Sequence, residues 1–137
     1  MASIESDETG PRHTEYSETD LAYAAGYLDG EGCFQWNGHT VSVQVDNTYP
    51  HTLMWLKRMF GGSVCRLNRK DEKCRTAYRY RIFGFGAASL CEKVIPYLQE
   101  KAEQAKIIIK IRSTSPHTEL RKQLTSELSK QKRIDRV

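Results

Sequence analysis

Leu21-Ala-Tyr-Ala-Ala-Gly-Tyr-Leu-Asp-Gly-Glu-Gly-Cys-Phe34 decides how this chain reads. Its left half is a helix of small and apolar residues. Ala22, Gly26 and Gly30 recur every fourth residue and line one face, where missing side chains allow another backbone to come close. Asp29 and Glu31 fall where the helix runs out, beside Gly30 and Gly32, glycines that suit a helix C-terminus. A helix C-terminus carries roughly half a negative charge, so an acid there costs about 0.3–1 kcal/mol unless a cation reverses the sign. The segment therefore reads as a device that presents a carboxylate and nearby main-chain carbonyls to a hard metal ion.

Working outward, residues 1–16 are polar and acidic, hold Gly10-Pro11, and are expected to be disordered. Ser17 or Thr19 caps the first helix, with Asp20 completing a weak capping box. Beyond the helix, Gly32–Asn37 alternates, with Phe34 and Trp36 on one side. Asn37-Gly38 is a hairpin turn. A strand over Thr40–Asp46 follows, with Val41, Val43 and Val45 inward and Thr40, Ser42, Gln44 and Asp46 outward. The outward faces of both strands are polar yet poor in charge, as a reading surface is. Pro50 opens a second helix, His51–Phe60, closed by Gly61-Gly62, with Leu53, Leu56 and Phe60 inward.

A second hairpin pairs Ser63–Asn68 with Arg75–Phe83. There Tyr78, Tyr80 and Ile82 are expected inward, and Arg75, Ala77, Arg79 and Arg81 outward. A helix over Ala87–Tyr97, disturbed by Pro96, and another over Ala102–Ile111 complete a domain spanning 17–112. Residues 113–137 read as a basic tail, helical in part at best. The order αββαββα makes an α+β domain: a curved four-stranded antiparallel sheet with helices on one face and the other face free for a ligand.

The 137 residues read as one domain, hold no apolar run able to span a membrane, and are not expected to carry a signal peptide. Cys33, Cys65, Cys74 and Cys91 show no zinc spacing and read as reduced thiols of an intracellular protein; only Cys65 and Cys74 are placed to face each other across a hairpin. The net charge of +4 is uneven: residues 1–20 carry −5 and the rest +9. Nine bases and two acids lie between Lys57 and Arg81, a cluster that fits a polyanion, of which nucleic acid is the commonest.

Ala24-Ala25-Gly26-Tyr27-Leu28-Asp29-Gly30-Glu31-Gly32 resembles the signature of the LAGLIDADG homing endonucleases, with Ala24 in place of the usual leucine. The element order over residues 18–111 is similar to that family's core. So are Asp46-Asn47-Thr48, Phe60-Gly61-Gly62, and Pro96-Tyr97-Leu98 followed by Lys101 and Gln104. A chain with one such motif resembles half an enzyme, and an intron setting goes with the resemblance. The implied partner is a second copy, paired through the motif helices by Ala22, Gly26 and Asp29, with Asp29 bracing the helices.

The implied chemistry is hydrolysis of one phosphodiester per strand of a long pseudo-palindromic duplex, with Mg2+ (or Mn2+ or Ca2+ in its place) held by Glu31 and the Gly30 carbonyl. Lys101 is implied near the scissile phosphate, with Asn47 and Gln104 ordering water. The sheet's outward face is the implied reader: Gln35, Asn37, Thr40, Ser42 and Gln44, with Asn68 and Arg81, and Arg66, Arg75 and Arg79 suited to guanine. Lys70, Lys73 and the tail suit phosphates. No membrane and no small-molecule substrate are expected, and the expected location is cytoplasm, nucleoid or organelle matrix. The alternative is a non-cutting binder on the same scaffold, an intron RNA maturase or a DNA-binding regulator.

Overall fold

A computed structural model describes residues 16–67, 76–114 and 118–135. Helix α1 spans Glu18–Glu31 and runs directly into strand β1 (Gly32–Trp36), which turns back as β2 (Val41–Asn47). Helix α2 (His51–Phe60) leads to β3 (Ser63–Leu67) and β4 (Ala77–Phe83). Helix α3 (Gly84–Val94), a 3-10 turn (Ile95–Tyr97), α4 (Ala102–Ser113) and α5 (Glu119–Asp135) follow. The sheet is antiparallel throughout, in the order β1-β2-β4-β3.

Register explains which side chains form the core. Phe34 pairs with Val43 and Val43 with Ile82; Val45 pairs with Tyr80 and Tyr80 with Val64. Cross-strand partners share a face, so this row lies against the helices, where all five residues other than Ile82 are fully inaccessible. Burying each such side chain contributes about 1.5–3 kcal/mol. Leu28 of α1, Leu53 and Leu56 of α2, Leu90 of α3 and Ile108 of α4 close over the row.

Local signals set the ends of the elements. The Ser17 hydroxyl accepts the Asp20 N–H at 3.1 Å and starts α1. Gly32 ends that helix for a reason other than handedness: its φ is −81°, but a Cβ there would lie 2.8 Å from the Leu28 carbonyl oxygen. Gly61 and Gly62 end α2 with positive φ of 85° and 98°. The buried Tyr80 hydroxyl then donates to the Gly61 carbonyl at 2.8 Å. Pro96 converts the end of α3 into the 3-10 turn.

Four expectations need correction. Helix α3 begins three residues before Ala87, at Gly84, whose φ of 58° turns the chain out of β4. Tyr16 belongs to the packed domain: it stacks on Phe60 at 5.3 Å beneath the Lys93 ammonium. Within the tail, Glu119–Asp135 forms a helix, α5, that buries Leu124 and Leu128 and packs on α4. Ala77 shares the face of Arg79 and Arg81 yet is wholly buried. The expected disorder of residues 1–15 lies outside the described residues.

Candidate functional site

The C-terminal end of α1 is locked to the turn before α4. Asp29 accepts the backbone N–H of Gln99 (2.8 Å), Glu100 (3.1 Å) and Lys101 (3.0 Å). Those N–H groups lie in the turn leading into α4, and the nearby N-terminus of α4 favours a negative charge. The Lys101 ammonium reaches back to the carbonyls of Gly32 (2.7 Å) and Leu28 (3.4 Å). The acid at the end of α1 is thus matched to the start of another helix, and the end of α1 already carries a protein cation. The unfavourable helix-end charge expected at Asp29 is therefore offset without a bound ion. The hydrogen bonds that Asp29 makes within the protomer run to this turn and not to a motif helix.

Glu31 is different. It is exposed at the last position of α1, and its carboxylate has no hydrogen bond or ion pair among the described residues. Ala22, Gly26 and Gly30 are exposed as well, and a Cβ on Gly26 or Gly30 would meet nothing within 4 Å. On the flank, the Asn47 amide nitrogen donates to the Tyr27 hydroxyl at 2.9 Å, while its oxygen accepts the Tyr49 N–H at 3.1 Å. Burial pushes the Tyr27 phenol above its ordinary range; the Asn47 hydrogen bond lowers it and the Glu31 charge raises it further. Gln104 does not join this group. It is 4% exposed on α4 and donates to Asp135 of α5 at 2.6 Å.

The outward face of the sheet holds Cys33, Gln35, Ser42, Gln44, Asp46, Arg79 and Arg81, tied in cross-strand pairs. The Arg79 guanidinium forks onto Asp46 at 2.7 and 2.9 Å, and that hydrogen bond holds its pKa above the usual value. Arg81 donates to the Gln44 side-chain oxygen and lies over the Phe83 ring at 5.4 Å. Ser42 is 3% exposed and donates to Gln35 at 3.4 Å, so its hydroxyl is not an open reader. Asn37 and Thr40 form the turn instead of strand positions: the Asn37 side-chain oxygen accepts the N–H of His39 and of Thr40, each at 2.9 Å.

Register also removes bases from this face. Arg66 pairs with Tyr78, on the helix side, because Val64 two residues earlier packs against Tyr80. Lys57 is 6% exposed on α2 and, like Arg58, belongs to the helix layer. Asn68, Lys70, Lys73 and Arg75 lie outside the described residues, as does Cys74; Cys65 is a free thiol.

No family model and no curated protein matches the sequence. Solved structures do match the fold. One is the homing endonuclease I-CvuI in complex with the I-CreI target, uncleaved in 2 mM Mg: TM-score 0.67, 23% identity, 83% of this chain and 82% of that one. I-CvuI with its own target in 2 mM Ca matches at 0.65 and 22% identity, covering 82% of each chain. The archaeal intron-encoded I-Vdi141I complexed with DNA matches at 0.66 and 17% identity, over 83% of this chain and 84% of that one. The chain has the LAGLIDADG homing-endonuclease fold.

Within that LAGLIDADG fold, Glu31 and the Gly30 carbonyl offer oxygen donors of the kind Mg2+, Mn2+ and Ca2+ prefer. A free carboxylate and a carbonyl in the last turn, where no i+4 donor exists, fit such an ion chemically. They are only part of a coordination shell. Among the described residues, no three His, Cys, Asp or Glu side chains gather at one point. No described helix is long and apolar enough to cross a membrane.

Two features escaped the sequence reading. Tyr27 stands four residues before Glu31, on the same helix face, and that spacing was the available signal. Helix α5 was announced by Leu120, Leu124 and Leu128 at every fourth position, in a segment otherwise dominated by charge.

Proposed function

We propose that this chain is a homodimeric, divalent-metal-dependent, site-specific DNA endonuclease of the homing type. The observation that carries the reading is the unpartnered Glu31 carboxylate at the end of an exposed small-residue helix face. Two copies meeting through Ala22, Gly26 and Gly30 bring two such acids together, and carboxylates that close repel unless cations intervene. The matched fold, solved repeatedly on DNA, supports duplex DNA as the partner. An intracellular location belongs to the same proposal.

Each protomer cuts one strand. A water oxygen bonds to phosphorus, one phosphorus–oxygen ester bond breaks, the water's proton leaves to solvent, and the departing oxygen takes one up. The metal, when bound, lowers the pKa of that water and offsets charge on the phosphate. Glu31 and the Gly30 carbonyl would hold the ion. Lys101 has three ammonium donors and spends two on Gly32 and Leu28, leaving one for a phosphate oxygen. Asn47 orders the flank, and Arg79, Arg81, Gln35 and Gln44 read the groove once their internal partners let go.

Incubating the purified chain with Mg2+ and a randomised duplex library, then sequencing cut ends, tests this. Double-strand breaks at one long pseudo-palindromic site are expected, with Glu31→Gln binding that site but not cutting it. Binding without cleavage in Mg2+ and Mn2+ overturns the endonuclease reading in favour of a DNA-binding regulator. Selective binding of structured intron RNA overturns it in favour of a maturase.

A further inference from the structure

We propose that Tyr27 is a positioning residue of the Glu31 site, its hydroxyl proton fixed by Asn47 so that it points to the water beside the Glu31 carboxylate. This rests on the endonuclease reading above.

The hydrogen-bond inventory of the flank leads there. Asn47 has one side-chain oxygen, taken by the Tyr49 N–H, and uses its nitrogen on the Tyr27 hydroxyl oxygen. Having accepted that bond, the phenol still owns its proton, and no described residue takes it. The ring cannot swing freely. Tyr23 stacks on it with centroids 6.5 Å apart and planes 9° apart, and Trp55 abuts Tyr23 edge-on at 5.2 Å. A phenol flanked by one aromatic and accepting an amide N–H at its tip turns its proton to the side away from that amide. Glu31 lies one helical turn onward on that face, and its charge acts on the phenol. A fixed donor one turn from a metal-binding acid, and absent from the catalytic set implied by the motif, has the chemistry to orient a water.

Tyr27→Phe keeps the ring that packs on Tyr23 and removes only the hydroxyl. On the wild-type target site, single-turnover cleavage in Mg2+ is expected to fall about 10- to 100-fold, as misplacing a reacting group does. Duplex affinity in Ca2+ should stay within about twofold. Asn47→Ala should lose a similar factor, and the double variant little more, because the pair acts as a unit. A wild-type rate in Tyr27→Phe, or losses that multiply in the double variant, overturns the inference while leaving the endonuclease reading intact. Should wild type not cut at all, terbium luminescence excited through tyrosine decides placement: Glu31→Gln should abolish it and Tyr27→Phe should lower it severalfold. Unchanged luminescence in Tyr27→Phe overturns the inference.

Discussion

Asp29 and Lys101 hold each other's elements from both sides. The Asp29 carboxylate accepts the Lys101 N–H at 3.0 Å, and the Lys101 ammonium returns to the Gly32 carbonyl, three residues past Asp29, at 2.7 Å. The junction of α1 with β1, which carries Glu31, is thereby clamped to the start of α4. Asparagine at position 29 offers one accepting oxygen where the carboxylate uses two for three donors. Asp29→Asn is therefore expected to cost about 1–3 kcal/mol in urea unfolding, because hydrogen bonds to charged groups are among the stronger ones. A change within about 0.3 kcal/mol, the usual error of such comparisons, removes the clamp from the account.

The fork of Arg79 on Asp46 gives the sheet face a latch. Both side chains are partly exposed, 28% and 36%, so the pair is worth less than about 1 kcal/mol to the fold. Its larger effect is on binding, since a guanidinium paired in this way cannot also fork onto a guanine. Asp46→Ala should leave the melting temperature nearly unchanged. It should tighten binding to random duplex and steepen the salt dependence by about one counterion. Titrations at several salt concentrations check this, and unchanged affinity would show that Arg79 does not face DNA.

Much of this was legible because period and punctuation agree. Alternation in Val41–Val45, the Pro50 start and the Gly61-Gly62 stop of α2 placed sheet and helix correctly. What could not be read was which polar groups satisfy each other. Gln104 looks like a site residue until α5 covers it with Asp135. Arg79 looks like a free reader until β2 sets Asp46 beside it. Arg66 looks outward until register with Tyr78 turns it over. These are long-range pairings, and nothing local in the sequence encodes them.

Alkaline pH should loosen the core at a predictable point. Burial pushes the Cys91 thiol up to about 12 and raises the Tyr80 phenol as well. Between the ordinary thiol value near 9 and about 12, the folded chain keeps a proton that the unfolded chain has lost. Stability therefore falls as pH rises through that window, by at most about 1.4 kcal/mol per pH unit for each group. Urea midpoints measured from pH 8 to 11 should show this decline, and Cys91→Ala should make it shallower. A slope identical in the two proteins means that Cys91 does not titrate on unfolding.

Gly26 separates the needs of one protomer from those of a pair. A side chain there meets nothing within 4 Å in the protomer. Leucine in a helix interior is favoured over glycine by close to 1 kcal/mol, so Gly26→Leu should stabilise an isolated chain by roughly that amount. The proposed pairing needs the same spot empty, because two backbones approach closely only where side chains are missing. Sedimentation equilibrium should find Gly26→Leu monomeric where wild type is dimeric, while its thermal midpoint at high dilution rises. The two signs oppose each other only if this face is the seam. A Gly26→Leu chain that still dimerises and cuts places the seam elsewhere, and with it the paired Glu31 carboxylates.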